Sequence, residues 1–373
     1  MKALVLGGYG NFGARICRAL ASDTNIELLV AGRDASRAGE LARELGPRAT
    51  GLALDVGRSD LAERLASIGA ELVIHTAGPF QAQGYAVATA SAEARAHYLD
   101  LADGRRFVCD FPMAMDAAFR QAGRTAISGA STVPALSCAV VDALCAGWQR
   151  IDRIAICIAP AQTAPRGDAT LAGVLSYCGE NVSVWLGGRW QARRGWGGLH
   201  EEHFARLRSR KSALCDIPDL ELFPSRYTVR DRVVFRAAVE IGLSQRMLAL
   251  LAAMRAVRII PPPSRWARAL NRAGRLFDPF GSGLGGMVVR VSGADAQGRD
   301  ASTAWHIAAD NDHGPEIPCM AAILLARRLA MGSALPVGAF TATGQLTLAD
   351  FEPEFARWGM QTDIEEASTY AVA

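Results

Sequence analysis

Apolar residues in the first third of this chain come in short continuous runs, and polar segments with helical spacing separate them. Ala3–Leu6, Ile26–Ala31, Arg48–Leu54, Glu71–Thr76, His97–Leu101 and Thr125–Gly129 read as strands. Continuous rather than alternating runs are expected of parallel strands covered on both faces. After the first run, Phe12, Ile16, Ala19 and Leu20 recur on one helical side while Arg15 and Arg18 lie off it. Further helices are predicted over Ser59–Ile68, Tyr85–Arg95 and Asp110–Ala122, and from Pro134 to about Gly147, with Ser131 or Thr132 as its cap. Regular strand–helix alternation predicts a doubly wound parallel sheet of the Rossmann type.

The pattern changes at Arg150. Ile151–Ala159 alternates like a strand, and Thr170–Cys178 has helical spacing. Val182–Trp190 and Gln191–Trp196 form a hairpin about Gly187-Gly188, and Gly286–Ser292 and Ser302–Ala308 form another about residues 294–298. Leu243–Val257 is an apolar helix. Ile317–Ala330 and the acid-rich Leu346–Phe355 are the last helices, the latter returning to the first domain. The expected fold is therefore α/β: a Rossmann domain over 1–148, completed by about 311–373, and an α+β domain with a mixed or antiparallel sheet over 149–310.

Composition changes this picture little. A chain of 373 residues, half apolar and 21% charged, has material for two cores. Lys and Arg number 40 against 37 Asp and Glu, so no charge excess argues for nucleic acid. Arg206–Lys211 reads as a solvated helix end. None of the 8 cysteines forms C-x-x-C, and several stand in apolar segments as free thiols. Met1 leads straight into a strand, which leaves no signal peptide. The apolar stretch 247–260 is interrupted by Arg255 and Arg258 and is too short for an integral membrane segment. The expected compartment is cytoplasmic.

The candidate chemistry gathers at strand ends. Gly8, Gly10 and Gly13 form G-x-G-x-x-G between a strand and a helix, which fits a dinucleotide pyrophosphate at a helix N-terminus. At the end of the second strand, where an acid would hold a ribose 2′-hydroxyl, stand Gly32 and Arg33, followed by Asp34 and Arg37. Two guanidiniums favour a 2′-phosphate, hence NADP, with Asp34 as a helix cap in the bland alternative. Asp55 either accepts from the adenine amino group or caps the following helix. The small-residue turn Ala77-Gly78-Pro79-Phe80 would lie along the ribose and nicotinamide, while His75 reads as a core histidine.

Proton-handling candidates are Tyr98, Asp100, Asp103 and His313, each with a capping or packing alternative. Arg105, Arg166 and Arg189 are either carboxylate binders or surface arginines. His200-Glu201-Glu202-His203 reads as a solvated helix face, and no metal site is expected.

GGYGNFG at 7–13, HTAGPFQAQG at 75–84 and HYLDLADG at 97–104 together resemble the saccharopine dehydrogenase-like family of NADP-binding proteins. The resemblance covers about the first 135 residues and continues more loosely through PDLELFP at 218–224 and HGPEIPC at 313–319. It implies a Rossmann domain with an inserted α+β domain. It implies cofactor contact from Gly8, Tyr9, Gly10, Asn11, Phe12 and Gly13, 2′-phosphate contact from Arg33, and a turn along the cofactor from Thr76, Ala77, Gly78, Pro79 and Phe80. The implied activity is an NADP-dependent oxidoreductase acting on a small amino-acid-derived imine or carbonyl bound between the domains. The alternative is an NADP-binding partner protein, non-catalytic or membrane-associated, using the apolar 243–280 segment. Residues 261–286 would then be a lid, a dimer contact or a membrane-surface patch, and a homodimer is expected from the apolar second domain.

Overall fold

The apolar runs become buried strands. The computed structural model describes residues 1–333 and 335–366. Its first stretch alternates β1 (Lys2–Leu6), α1 (Asn11–Leu20), β2 (Glu27–Gly32), α2 (Ala35–Leu45), β3 (Ala49–Ala53), α3 (Leu61–Ser67), β4 (Leu72–His75), α4 (Ala86–Glu93), β5 (His97–Asp100), α5 (Arg105–Ala122) and β6 (Thr125–Ser128). There follow α6 (Ser137–Leu144), β7 (Arg150–Ala159), α7 (Asp168–Ser176), β8 (Asn181–Leu186), β9 (Arg189–Arg194), β10 (His200–Glu202), β11 (Arg210–Leu214), α8 (Asp219–Arg226), β12 (Arg232–Ala237), α9 (Gly242–Ala256), α10 (Ala267–Arg275), β13 (Gly285–Ala294) and β14 (Asp300–Ala309). The chain ends with α11 (Ile317–Ala330), β15 (Gly338–Thr341), α12 (Leu348–Arg357) and β16 (Gln361–Glu366).

Two compact units result. The first comprises Met1–Leu136 and Pro315–Leu346; the second comprises Ser137–Gly314 and the chain from Thr347 onward. The first holds a seven-stranded sheet in the order β15-β6-β5-β4-β1-β2-β3, parallel throughout. Strand order reverses at β1, which puts the ligand crevice of an open sheet outside the carboxyl ends of β1 and its neighbours. The core beneath is built by Leu4, Leu6, Leu29, Val73, Tyr98, Phe111 and Phe119.

The second unit holds a nine-stranded mixed sheet with the path β10-β11-β12-β7-β13-β14-β16, plus the β8–β9 hairpin. The β7–β12 pair is parallel and the other pairs are antiparallel. Both expected hairpins form, β8–β9 turning at Gly187-Gly188 and β13–β14 after Ala294.

Several expectations are corrected. The α5 helix starts at Arg105, five residues before Asp110, behind Gly104. Pro134 does stand in a first helical turn, directly after the non-helical Val133; that wide turn, Thr132–Leu136, runs straight into α6, which ends at Leu144 and not at about Gly147. His200–Glu202 is a strand, not a helix face. The RLRSRK stretch is no helix end, because Arg210 is buried in β11 and donates to the Pro160 and Leu284 carbonyls. The tail also divides differently. Residues 315–346 return to the first unit through α11 and β15, but α12 and β16 join the second, β16 pairing with β14. Residues 367–373 of the expected completing segment lie outside the described residues.

Candidate cofactor site

The β1–α1 turn is glycine-rich for steric reasons. Gly7 has φ +77°, and the Gly7 and Gly8 N–H groups both donate to the Ala31 carbonyl at 2.9 Å, tying the turn to β2. A Cβ on Gly13 would stand 2.1 Å from the Gly7 oxygen, and one on Gly8 2.9 Å from the Val5 oxygen. Any side chain at either place would force α1 away from β1. Gly10 holds the N-cap position of α1, and the first helical turn contains no acidic residue. The helix therefore brings no carboxylate of its own first turn to its positive end, as suits a pyrophosphate. Tyr9, Asn11 and Phe12 lie within this turn.

At the end of β2, Tyr9 lies over Gly32, where a Cβ would fall 2.4 Å from the ring. The Tyr9 hydroxyl accepts from Asp34 N–H at 2.9 Å, and the Arg37 guanidinium sits 4.5 Å from the Tyr9 ring centre. Asp34 caps α2: its Oδ1 accepts from Ser36 N–H at 2.9 Å and Arg37 N–H at 3.2 Å. Arg33 is exposed beside it. This edge thus combines two guanidiniums and an aromatic face with a carboxylate already engaged by its own helix. Asp55 is corrected as a cap. It accepts from Gly57 N–H at 3.0 Å, while Asp60 precedes α3.

At the end of β4, the Thr76 hydroxyl donates to the Leu6 carbonyl at 2.8 Å and so joins β4 to β1. Gln83 Nε2 donates to the Ala77 and Pro79 carbonyls at 2.8 and 2.9 Å, holding the turn with Gly78 half-buried at its centre. Phe80 turns inward, its ring 5.0 Å from His75 and 5.3 Å from Phe107. Its side chain is core, and only its backbone faces the turn's edge. His75 is likewise buried, with Nδ1 at 3.2 Å from the Tyr98 hydroxyl, and desolvation lowers its pKa to about 4.

The proton-handling candidates separate. Tyr98 is fully buried between Phe111 and Phe119, and burial raises its hydroxyl well above the ordinary value. It belongs to the core. Asp100 is also fully buried. Its Oδ1 accepts from Ala102 N–H at 2.9 Å, Ser128 Oγ at 3.0 Å and Gly129 N–H at 2.8 Å, and Oδ2 has no hydrogen-bond partner. Desolvation raises its pKa to about 6 despite those donors. This carboxylate positions the end of β6 and has no surface for a substrate. Asp103 is half-buried, accepts from Gln81 Nε2 at 2.9 Å, and has its pKa raised by burial.

His313 lies in the second unit, Nδ1 donating to the Trp358 carbonyl at 3.1 Å and the ring edge-on to Trp358. Arg166 pairs with Asp278 at 3.1 Å, Arg189 opens β9 exposed, and Arg105 opens α5. No group of three His, Cys, Asp or Glu side chains suited to a metal occurs among the described residues. Sequence reasoning missed Gln81, Gln83 and Ser128, whose roles depend on partners that only the loop packing supplies.

A parallel sheet whose strand order reverses beside a glycine turn gives the first unit a Rossmann-type fold. Residues 3–127 match the family model described as "Saccharopine dehydrogenase NADP binding domain". The whole chain has the fold of the L-Glu-forming saccharopine dehydrogenase of Saccharomyces cerevisiae, with a TM-score of 0.70 over 98% of this chain and 100% of that one at 12% identity. A probable dehydrogenase from Thermotoga maritima aligns over 97% of this chain and 98% of its own at 9% identity and a TM-score of 0.47. No curated protein matches the sequence. The resemblance to the saccharopine dehydrogenase-like family thus stands in the sequence of the first unit and in the fold of the whole chain.

Proposed function

We propose that this chain is an NADP-dependent oxidoreductase acting on a small amino-acid-derived imine or carbonyl compound. The observation that carries the cofactor choice is the β2 edge. Arg33 and Arg37 offer guanidiniums where a 2′-phosphate would sit, and the Asp34 carboxylate between them uses Oδ1 to cap the α2 N-terminus. The glycine turn and the N-terminus of α1 would hold the pyrophosphate, and Thr76–Gly78 would border the ribose and nicotinamide. Bound NADPH supplies a hydride. The protein's part is orientation, exclusion of water and exchange of a proton. Asp103 is the candidate for that proton in the first unit, because it is partly exposed beside the β4 turn through Gln81 and burial raises its pKa.

Fluorescence titration with NADPH and with NADH tests the cofactor. Losing a charge-assisted contact in Arg33→Ala should weaken NADPH by about tenfold or more and leave NADH within about twofold. Equal losses for both nucleotides would remove the 2′-phosphate role. Oxidation of NADPH with paired oxo-acids and amines tests the substrate class, and no turnover with any imine or carbonyl would overturn the enzymatic assignment.

A further inference from the structure

In the second unit, residues 257–280 carry five arginines, 258, 265, 268, 272 and 275, against one acid, Asp278. All five guanidinium residues are exposed. Asp278 is already occupied by Gln162 Nε2 at 2.7 Å and Arg166 at 3.1 Å, and Arg268 lies 3.5 Å from Asp168. The other four arginines have no ion-pair partner among the described residues. The same segment exposes large apolar side chains: Val257 at 67%, Ile259 at 70%, Leu276 at 75% and Phe280 at 78%, with Trp266 at 37%.

The helix at its centre is anchored along one side. Ala267 and Asn271 of α10 are buried, and Asn271 Nδ2 donates to Asp168 Oδ1 at 2.8 Å. Arg268, Arg272 and Arg275 recur four and three residues apart along one exposed flank of the same helix. Trp266 and Leu276 close the two ends of this basic face.

We infer that this face docks on the surface of an anionic lipid bilayer, the arginines meeting headgroup phosphates and Trp266, Leu276 and Phe280 entering the headgroup–acyl boundary. A basic helical face flanked by Trp, Leu and Phe is the pattern of an interfacial element, and guanidinium matches phosphate bidentately. A two-fold contact with a second copy would set these unpaired arginines against each other. Nucleic acid would satisfy the charges but leave the aliphatic side chains in water. The segment docks on and does not span: no helix of the described residues is long and apolar enough to cross a membrane. This inference does not depend on the proposed reaction.

The test is co-sedimentation of the full chain with phosphatidylcholine vesicles, with and without phosphatidylserine, over a salt series. Binding should require phosphatidylserine and fade as salt shortens the reach of the charges from about 30 to about 3 Å. The triple reversal R265E/R272E/R275E should lose about a hundredfold or more in affinity. L276S/F280S should weaken binding while preserving its salt dependence. Resistance of the 137–314 segment to protease, together with an unchanged circular dichroism spectrum, checks that each variant is folded. If the triple variant does not fold, the salt series and L276S/F280S decide. The inference is overturned if phosphatidylserine vesicles do not sediment the chain at low salt, or if folded R265E/R272E/R275E binds them unchanged. It is also overturned if a DNA duplex binds this face and vesicles do not, or if the variants abolish a dimer and vesicles never bind.

Discussion

Asp100 is fully buried with three donors on one oxygen, and these surroundings make a pH prediction. Its pKa is raised to about 6 by burial, against about 3.9 in an unfolded chain. Between those values the folded chain keeps a proton that the unfolded chain has released. The stability attached to this group is complete below pH 4 and lost as the pH rises to 6, a gap worth about 3 kcal/mol. Asp100→Asn cannot titrate, yet its Oδ1 can still accept from Ala102, Ser128 and Gly129. In urea denaturation, the variant's stability relative to the unmodified chain should therefore rise by about 3 kcal/mol between pH 4 and pH 7. His75 titrates in the opposite sense, with its pKa lowered to about 4, but it is present in both proteins and cancels. A pH-independent difference would contradict the burial. The sequence could not announce this role. The spacing of glycines 8, 10 and 13 has a local steric cause and was legible, and so was the capping alternative for Asp34, whose partners are two and three residues away. The donors to Asp100 from β6 are 28 and 29 residues distant, and nothing in the local pattern marks them.

Among the elements, α1 depends on α11 in a way that can be measured. Arg15, which the helical pattern placed off the apolar stripe, forms an ion pair with Glu316 at the start of α11, the two side chains 19% and 6% exposed. Cys319 of α11 also reaches the Phe12 carbonyl, at 3.6 Å. Removing the arginine leaves a buried, uncompensated carboxylate. Arg15→Ala should cost about 3 kcal/mol in chemical denaturation, and Glu316→Gln less, since the charge it strands, the Arg15 guanidinium, is the more exposed of the two and the Gln oxygen can still accept from it. Equal small losses would make the pair a surface contact. The strands most visible in the sequence, β1, β2 and β4, are nearly continuous apolar runs because both faces are covered. By contrast β16, Gln361–Glu366, is exposed except for a half-buried Asp363 and carries no apolar alternation at all. It is a strand only because β14 offers it an edge, and β10, three residues long, was hidden for the same reason.

For the molecule as a whole, the division of the tail makes the two units separable by truncation. A chain ended at Leu346 keeps α11 and β15, hence the full seven-stranded sheet and the glycine turn. It loses α12 and β16, and with them the six-residue pairing to β14 and the buried Phe351 and Phe355, the latter 6.1 Å from Trp305. Two buried phenylalanines account for roughly 3–6 kcal/mol, comparable to the whole stability of an ordinary domain. The truncated protein should therefore bind NADPH within about threefold of the full chain, while protease digests residues of the 137–314 segment that resist it in the intact protein. Mass mapping of the fragments, with NADPH titration of the same sample, reads both outcomes. Had the acid-rich helix completed the Rossmann domain, as its position in the sequence suggested, truncation would instead abolish NADPH binding and leave the second unit resistant. The pairing of β16 with β14 argues for the first result, because an edge strand and an aromatic contact tie the tail to the mixed sheet.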